Sequence, residues 1–155
     1  VISQLCCRLF MSPMDCPFRA ADCLLEEIGN ERIIILDIHG EATSEKVALG
    51  WYLNGRVSAI IGTHTHIPTA DERILPGGTA YITDVGMTGA YDSIIGMDIE
   101  SSMRRFMTGM KIPFQVSKKN LQISAVIITI EERTGKASAI QRVMIPANLE
   151  GEEGE

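Results

Sequence analysis

The sequence predicts an α/β fold on a parallel or mixed sheet, and three observations point to it. Two short apolar runs, Ile33-Ile34-Ile35-Leu36-Asp37-Ile38 and Val57-Ser58-Ala59-Ile60-Ile61, are β-branched and read as buried strands. Segments with apolar residues at helical spacing alternate with them, the order expected of strand-helix-strand units with right-handed crossovers. The last third carries two β-rich arms around a polar turn. With 155 residues, 45% of them hydrophobic and 5% aromatic, the chain is long enough to bury a core.

The elements follow in order. Val1-Ile2-Ser3-Gln4-Leu5-Cys6-Cys7-Arg8 reads as a strand entered mid-chain; it has neither a start methionine nor a basic n-region and is not expected to be a signal peptide. A loop with Pro13 and Pro17 leads into a helix begun by Asp15 or Cys16, with Pro17 near its first position, where a missing N–H costs nothing. Ala20, Ala21, Leu24, Leu25 and Ile28 lie on one face of that helix, and Gly29 stops it. A strand over Arg32–Ile38 follows. Thr43 or Ser44 is placed to cap a second helix through Val47, Ala48, Trp51 and Leu53, ending at Asn54-Gly55, before the Val57–Ile61 strand.

Residues 69–75 and 79–83 flank Pro76-Gly77-Gly78 and predict a hairpin. The Gly-rich stretch from Asp84 to Asp92 lacks P-loop spacing and reads as a connector placed to line a substrate entrance. Asp98 caps a helix through Met103, Phe106 and Met107 to Gly109, with Arg104-Arg105 on its solvated face. Leu121–Glu131 and Ala137–Ile145 form a C-terminal antiparallel hairpin. Residues 148–155, closing on Gly151-Glu152-Glu153-Gly154-Glu155, read as an acidic flexible tail behind a single domain over 1–147.

Charge and composition narrow the partners. A formal net charge of −6 and a pI near 5.1 argue against an electrostatic footprint for duplex nucleic acid. No apolar run approaches the ~18 residues of a membrane span. All four cysteines, Cys6, Cys7, Cys16 and Cys23, fall near the start in no zinc-site spacing, so they read as reduced thiols of a cytoplasmic protein.

The three histidines stand at the exits of the two strong strands. His39 follows the first, and Gly62-Thr63-His64-Thr65-His66 follows the second, with His64 and His66 expected on one side of an extended segment. In an open α/β sheet such exits are where ligands bind, and neutral imidazole is the commonest side-chain ligand of transition metals. Each residue also has an ordinary alternative: a histidine after a strand packs or hydrogen-bonds, and Asp37 is equally a strand-end residue. Asp37 and Glu41 are candidate partners that orient an imidazole; Glu45 fits better as a helix-start carboxylate. Three imidazoles alone suit a mononuclear zinc site, whereas a two-metal site needs carboxylates as well, and the spacing leaves both open.

Asp37-Ile38-His39-Gly40-Glu41-Ala42-Thr43-Ser44-Glu45-Lys46 and Gly50-Trp51-Tyr52-Leu53-Asn54-Gly55-Arg56-Val57-Ser58-Ala59 resemble the YmdB-like family of calcineurin-like metallophosphoesterases. So do Gly62-Thr63-His64-Thr65-His66, Thr69 to Pro76, and Ala80 to Gly89. The likeness runs from the Pro13–Phe18 loop to the final hairpin, with Gly40 where alanine is usual and Ala90 where proline is usual. It implies the C-terminal part of an αββα sandwich around a binuclear centre that hydrolyses small phosphodiesters, cyclic nucleotides among them, by in-line attack of a hydroxide. His39 and His64 would then ligate one divalent ion (Mn, Fe, Zn or Mg) and His66 the other. The family's carboxylate and amide ligands, and the histidine that protonates its leaving group, belong to an N-terminal half with no counterpart here. The chain alone is therefore expected to be inactive and prone to self-association through an uncovered sheet edge. The alternatives are a catalytically incomplete metal-binding module, or a mononuclear zinc hydrolase with Glu41 or Asp37 as base.

Overall fold

A computed structural model describes residues 1–147; the acidic tail at 148–155 lies outside the described residues. The chain order is β1 (Ile2–Cys6), α1 (Pro17–Ile28), β2 (Ile35–His39), α2 (Thr43–Tyr52), β3 (Ala59–Thr63), β4 (Arg73–Ile74), β5 (Ala80–Ile82), β6 (Gly89–Ala90), α3 (Ile99–Thr108), β7 (Leu121–Ile130) and β8 (Ala137–Pro146). This is a mixed α/β fold closed by an antiparallel hairpin. The contacts divide into two units. Among the described residues one comprises 1–86 and 126–142, the other 87–125 and 143–147.

The first unit is organised on a five-stranded sheet of order β1-β2-β3-β5-β4. Its strands are parallel except β4, which runs antiparallel to β5 through the turn at residues 76–78. The parallel part is two consecutive strand-helix-strand units, as the alternation of patterns requires. Leu36 and Ile38 of β2 and Ile60 of β3 point to one face and are fully buried with Leu49, Leu53 and Tyr81; Phe18, Leu24 and Leu25 of α1 pack against them. Each such aliphatic side chain contributes about 1.5–3 kcal/mol on burial. The opposite face carries Ile35, Ala59 and Ala80, packed with Ala137, Ile128, Ile130 and Ile140 of the hairpin arms. Alternation along β2 puts Asp37 and His39 on that second face, at its carboxyl end.

Both strands end later than the hydrophobic runs suggest: β2 reaches His39, one residue beyond its run, and β3 reaches Thr63, two beyond. The reason lies in the pairing, which continues to His39↔Thr63. Gly29 ends α1 with φ +68, as its position suggests. The opening of α2 departs from expectation. Its N-cap is Ala42, and neither Thr43 nor Ser44 caps it.

Gly40, directly after β2, has no room for a side chain: a Cβ there would fall inside the side chain of buried Cys7. The four cysteines are free thiols, and burial beside Glu45 pushes that of Cys7 up to about 11.

In the second unit, β6 pairs antiparallel with the first residues of β7, Gly89 with Gln122 and Ala90 with Leu121. So short a strand leaves no periodic signal in the residues themselves. Helix α3 begins at Asp98, whose carboxylate accepts from the Ser101 N–H at 2.9 Å, and ends at Gly109 in the left-handed region. Among the described residues no helix is long and apolar enough to cross a membrane.

Candidate metal centre

The site is built where β2 and β3 end side by side. Since His39 pairs with Thr63 across the two strands, both side chains leave the same face, and the His39 ring reaches the Thr63 hydroxyl at 3.0 Å. That hydroxyl donates to Asp37 Oδ1 at 2.7 Å, while Gln4 donates to Asp37 Oδ2 at 2.7 Å. Asp37 thus acts on His39 through Thr63 rather than directly.

His64 follows immediately, and the chain turns there. His64 has φ +108 and His66 φ +66, so residues 64–66 are not extended and the two rings do not share a side by strand alternation. The bend lays the His64 ring edge-on to that of His39, centroids 4.8 Å apart, with His64 Nδ1 and His39 Nε2 separated by 3.0 Å. His64 Nε2 faces Glu41 Oε2 at 3.2 Å. His66 is exposed. Among the described residues no three His, Cys, Asp or Glu side chains are gathered to hold an ion, so the structure brings His39 and His64 together without adding His66 as a third donor.

The protons in this chain of contacts can be assigned from its ends. The single Thr63 hydroxyl proton goes to Asp37, so Thr63 Oγ1 accepts from His39 Nδ1–H. Glu41 is an acceptor, so His64 Nε2 carries a hydrogen toward it. In neutral rings the lone pairs are then His39 Nε2 and His64 Nδ1, the two atoms that face each other. Something positive must satisfy both. A proton would do so, and so would a divalent cation in octahedral coordination, where cis donors at about 2.1 Å stand about 3 Å apart. The donor set therefore fits a metal ion, with each imidazole oriented through its other nitrogen by an oxygen.

Two buried charges lie beneath the loop. Lys46 of α2 is fully buried and Asp84, after β5, is 1% exposed; they pair at 2.9 Å. Lys46 Nζ also donates to the Thr63 carbonyl at 3.1 Å, and Asp84 accepts from Thr65 N–H at 3.0 Å and Gly86 N–H at 2.9 Å. Burial opposes ionisation of Asp84, yet the Lys46 ammonium and these N–H groups hold its carboxyl below the usual range. Beside it, Asp71 accepts from the Thr69 and Thr83 hydroxyls and from Thr83 N–H, and these outweigh burial to hold it low as well. Gly62 lets the two strand exits approach, because a Cβ there would overlap the Thr83 carbonyl. Glu45 is in the first turn of α2, but its buried carboxylate accepts from Arg8 N–H and Leu9 N–H, tying down the loop after β1.

Sequence reasoning missed Thr63, Lys46 and Asp84. One signal was available: Lys46 precedes Leu49 and Leu53 by three and seven residues, on the apolar stripe of α2, where a charge needs a buried partner.

Comparison with known proteins adds the family. A family model described as YmdB-like protein matches residues 1–143. The chain is 53% identical over 139 residues to a Bacillus subtilis 2′,3′-cyclic-nucleotide 2′-phosphodiesterase, covering 89% of this chain and 53% of that protein. Its fold matches the crystal structure of a hypothetical protein from Thermus thermophilus with TM-score 0.88 and 46% identity, over 94% of this chain and 56% of the other. It matches that of a novel phosphatase from Mycoplasma pneumoniae with TM-score 0.86 and 38% identity, over 94% and 52%. The chain thus spans about half the length of the relatives it matches.

Proposed function

This chain belongs to the YmdB-like protein family, and from that premise we propose that it carries the histidine half of a metal-dependent phosphodiesterase site acting on small phosphodiesters such as 2′,3′-cyclic nucleotides. The observation that carries the reading is the pair of lone-pair nitrogens, His39 Nε2 and His64 Nδ1, 3.0 Å apart. In this reading His39 and His64 hold one divalent cation and His66 contributes to a second. Bound ions of this kind supply Lewis-acid stabilisation of phosphoryl charge and a nucleophile at neutral pH. The chain's own residues do the rest. Asp37 and Thr63 keep a proton on His39 Nδ1, and Glu41 keeps one on His64 Nε2, so that both rings present the correct nitrogen. In this reading the three histidines are only part of the ligand set, and none of them serves as the acid that protonates the leaving alkoxide. The lack of a three-donor cluster among the described residues favours, as a second reading, a half-site that binds metal weakly when alone.

Elemental analysis after Mn²⁺ loading and desalting, paired with 2′,3′-cyclic AMP hydrolysis, tests both readings. Two ions per chain and turnover that falls by at least about 10²-fold in His64→Ala support the phosphodiesterase. One ion or none, with no turnover, supports the half-site and overturns the phosphodiesterase reading of this chain. Two ions retained with no turnover would overturn both.

A further inference from the structure

We infer that the buried Lys46–Asp84 ion pair is a positioning device for His64, gripping the peptide groups on both of its sides. Lys46 Nζ holds the carbonyl that precedes His64, that of Thr63, at 3.1 Å, and Asp84 Oδ2 holds the N–H that follows it, that of Thr65, at 3.0 Å. The same Asp84 oxygen accepts from Lys46 at 2.9 Å, so one pair of charges closes a bridge across a single residue. That residue needs such a bridge. His64 has φ +108, a region that residues with a Cβ seldom adopt unless surrounding structure imposes it. Relaxation of the bend would turn its ring away from His39 Nε2.

The bridge is anchored at its far side as well. Asp84 Oδ1 accepts from Gly86 N–H, and the Asp84 peptide is fixed to Thr69 through its N–H and its carbonyl. Lys46 is held by α2, whose inward face is packed into the core through Leu49 and Leu53. Among the described residues this is the one ion pair with both side chains at or below 1% exposure; the other five are exposed on at least one side. A buried pair is weak evidence for net stability, since well-packed apolar residues often do as well. Its position around His64 gives it a separate role. The role rests on the proposed function only for its consequence, metal binding; the geometry it sets exists without metal.

The test therefore begins on the metal-free protein. In the unaltered protein the Thr65 amide is expected to exchange as slowly as amides of β3, and long-range ¹H–¹⁵N spectra are expected to show His39 protonated at Nδ1. Thr65 exchange as fast as that of an open loop would overturn the inference, with no variant needed. The charge-neutral double variant Lys46→Met/Asp84→Asn leaves no unpaired buried charge. It is expected to stay folded, lose the His39–His64 contact in the imidazole spectra, and bind Mn²⁺ roughly 10–100-fold more weakly. A folded double variant with native imidazole spectra would overturn the inference. Failure of the unaltered protein to bind Mn²⁺, with the spectra as expected, would sink the metal reading and leave the positioning role standing.

Discussion

Helices α2 and α3 have ten residues each and are built on opposite plans. The end signals of α3 are those a helix wants locally: Asp98 caps the first turn, Gly109 closes the last in the left-handed region, and Arg105 sits near the negative end of the dipole. Its apolar side chains Met103, Phe106 and Met107 are exposed. Helix α2 lacks a side-chain cap, and its two charged first-turn residues are buried, Glu45 reaching the loop after β1 and Lys46 reaching the His loop. The contrast teaches that α2 gives up local optimality to serve the strand exits, and departures from local rules gather where a site is assembled.

The contrast is broken most strongly by removing one partner of the buried pair. Lys46→Met strands the Asp84 carboxylate in the core and is expected to cost about 3–5 kcal/mol in urea denaturation, whereas Arg105→Met in α3 should leave the midpoint within scatter. Equal losses would mean that α2 carries no special burden. A smaller effect is expected of Glu45→Gln, which keeps one acceptor oxygen for Arg8 and Leu9 and should cost about 1 kcal/mol by the same measurement.

Acid sharpens the comparison further. Asp71 and Asp84 are held below the ordinary aspartate range in the folded chain, so they release protons more readily there than when unfolded. Their stabilisation is complete above a pH of about 4 and disappears as pH falls through their folded values. A plot of stability against pH should decline on that acid side, and Asp71→Asn should flatten the decline. The smallest effect belongs to Asp98→Ala, which removes the α3 cap and should lower the Tm slightly without moving any signal of His39 or His64.

Much of the fold was legible because it rests on period and punctuation. The alternation of β-branched runs with helical stripes places β2, β3, α1 and α2, and Pro17, Gly29, Asp98 and Gly109 mark helix ends where the structure has them. The meeting of His39 with His64 was legible for the same reason, since consecutive parallel strands end at one edge. The proton path through Thr63 was hidden, because it depends on cross-strand register. The Lys46–Asp84 bridge joins residues 38 apart in sequence, which no local pattern reveals. The bend at His64 was misread as extended, because tertiary contacts impose a backbone that its residue type disfavours.

Gly40 has a further consequence, for how this sequence can change. Because an added Cβ there would occupy the space of Cys7, alanine at 40 and cysteine at 7 exclude each other in this backbone. Alanine at 40 would require residue 7 to lose its side chain altogether, because the nearest atom to the added Cβ is the Cys7 Cβ, well inside van der Waals contact. A chimera joined between β1 and β2 takes residue 7 from one parent and residue 40 from the other, so such a junction needs glycine kept at position 40.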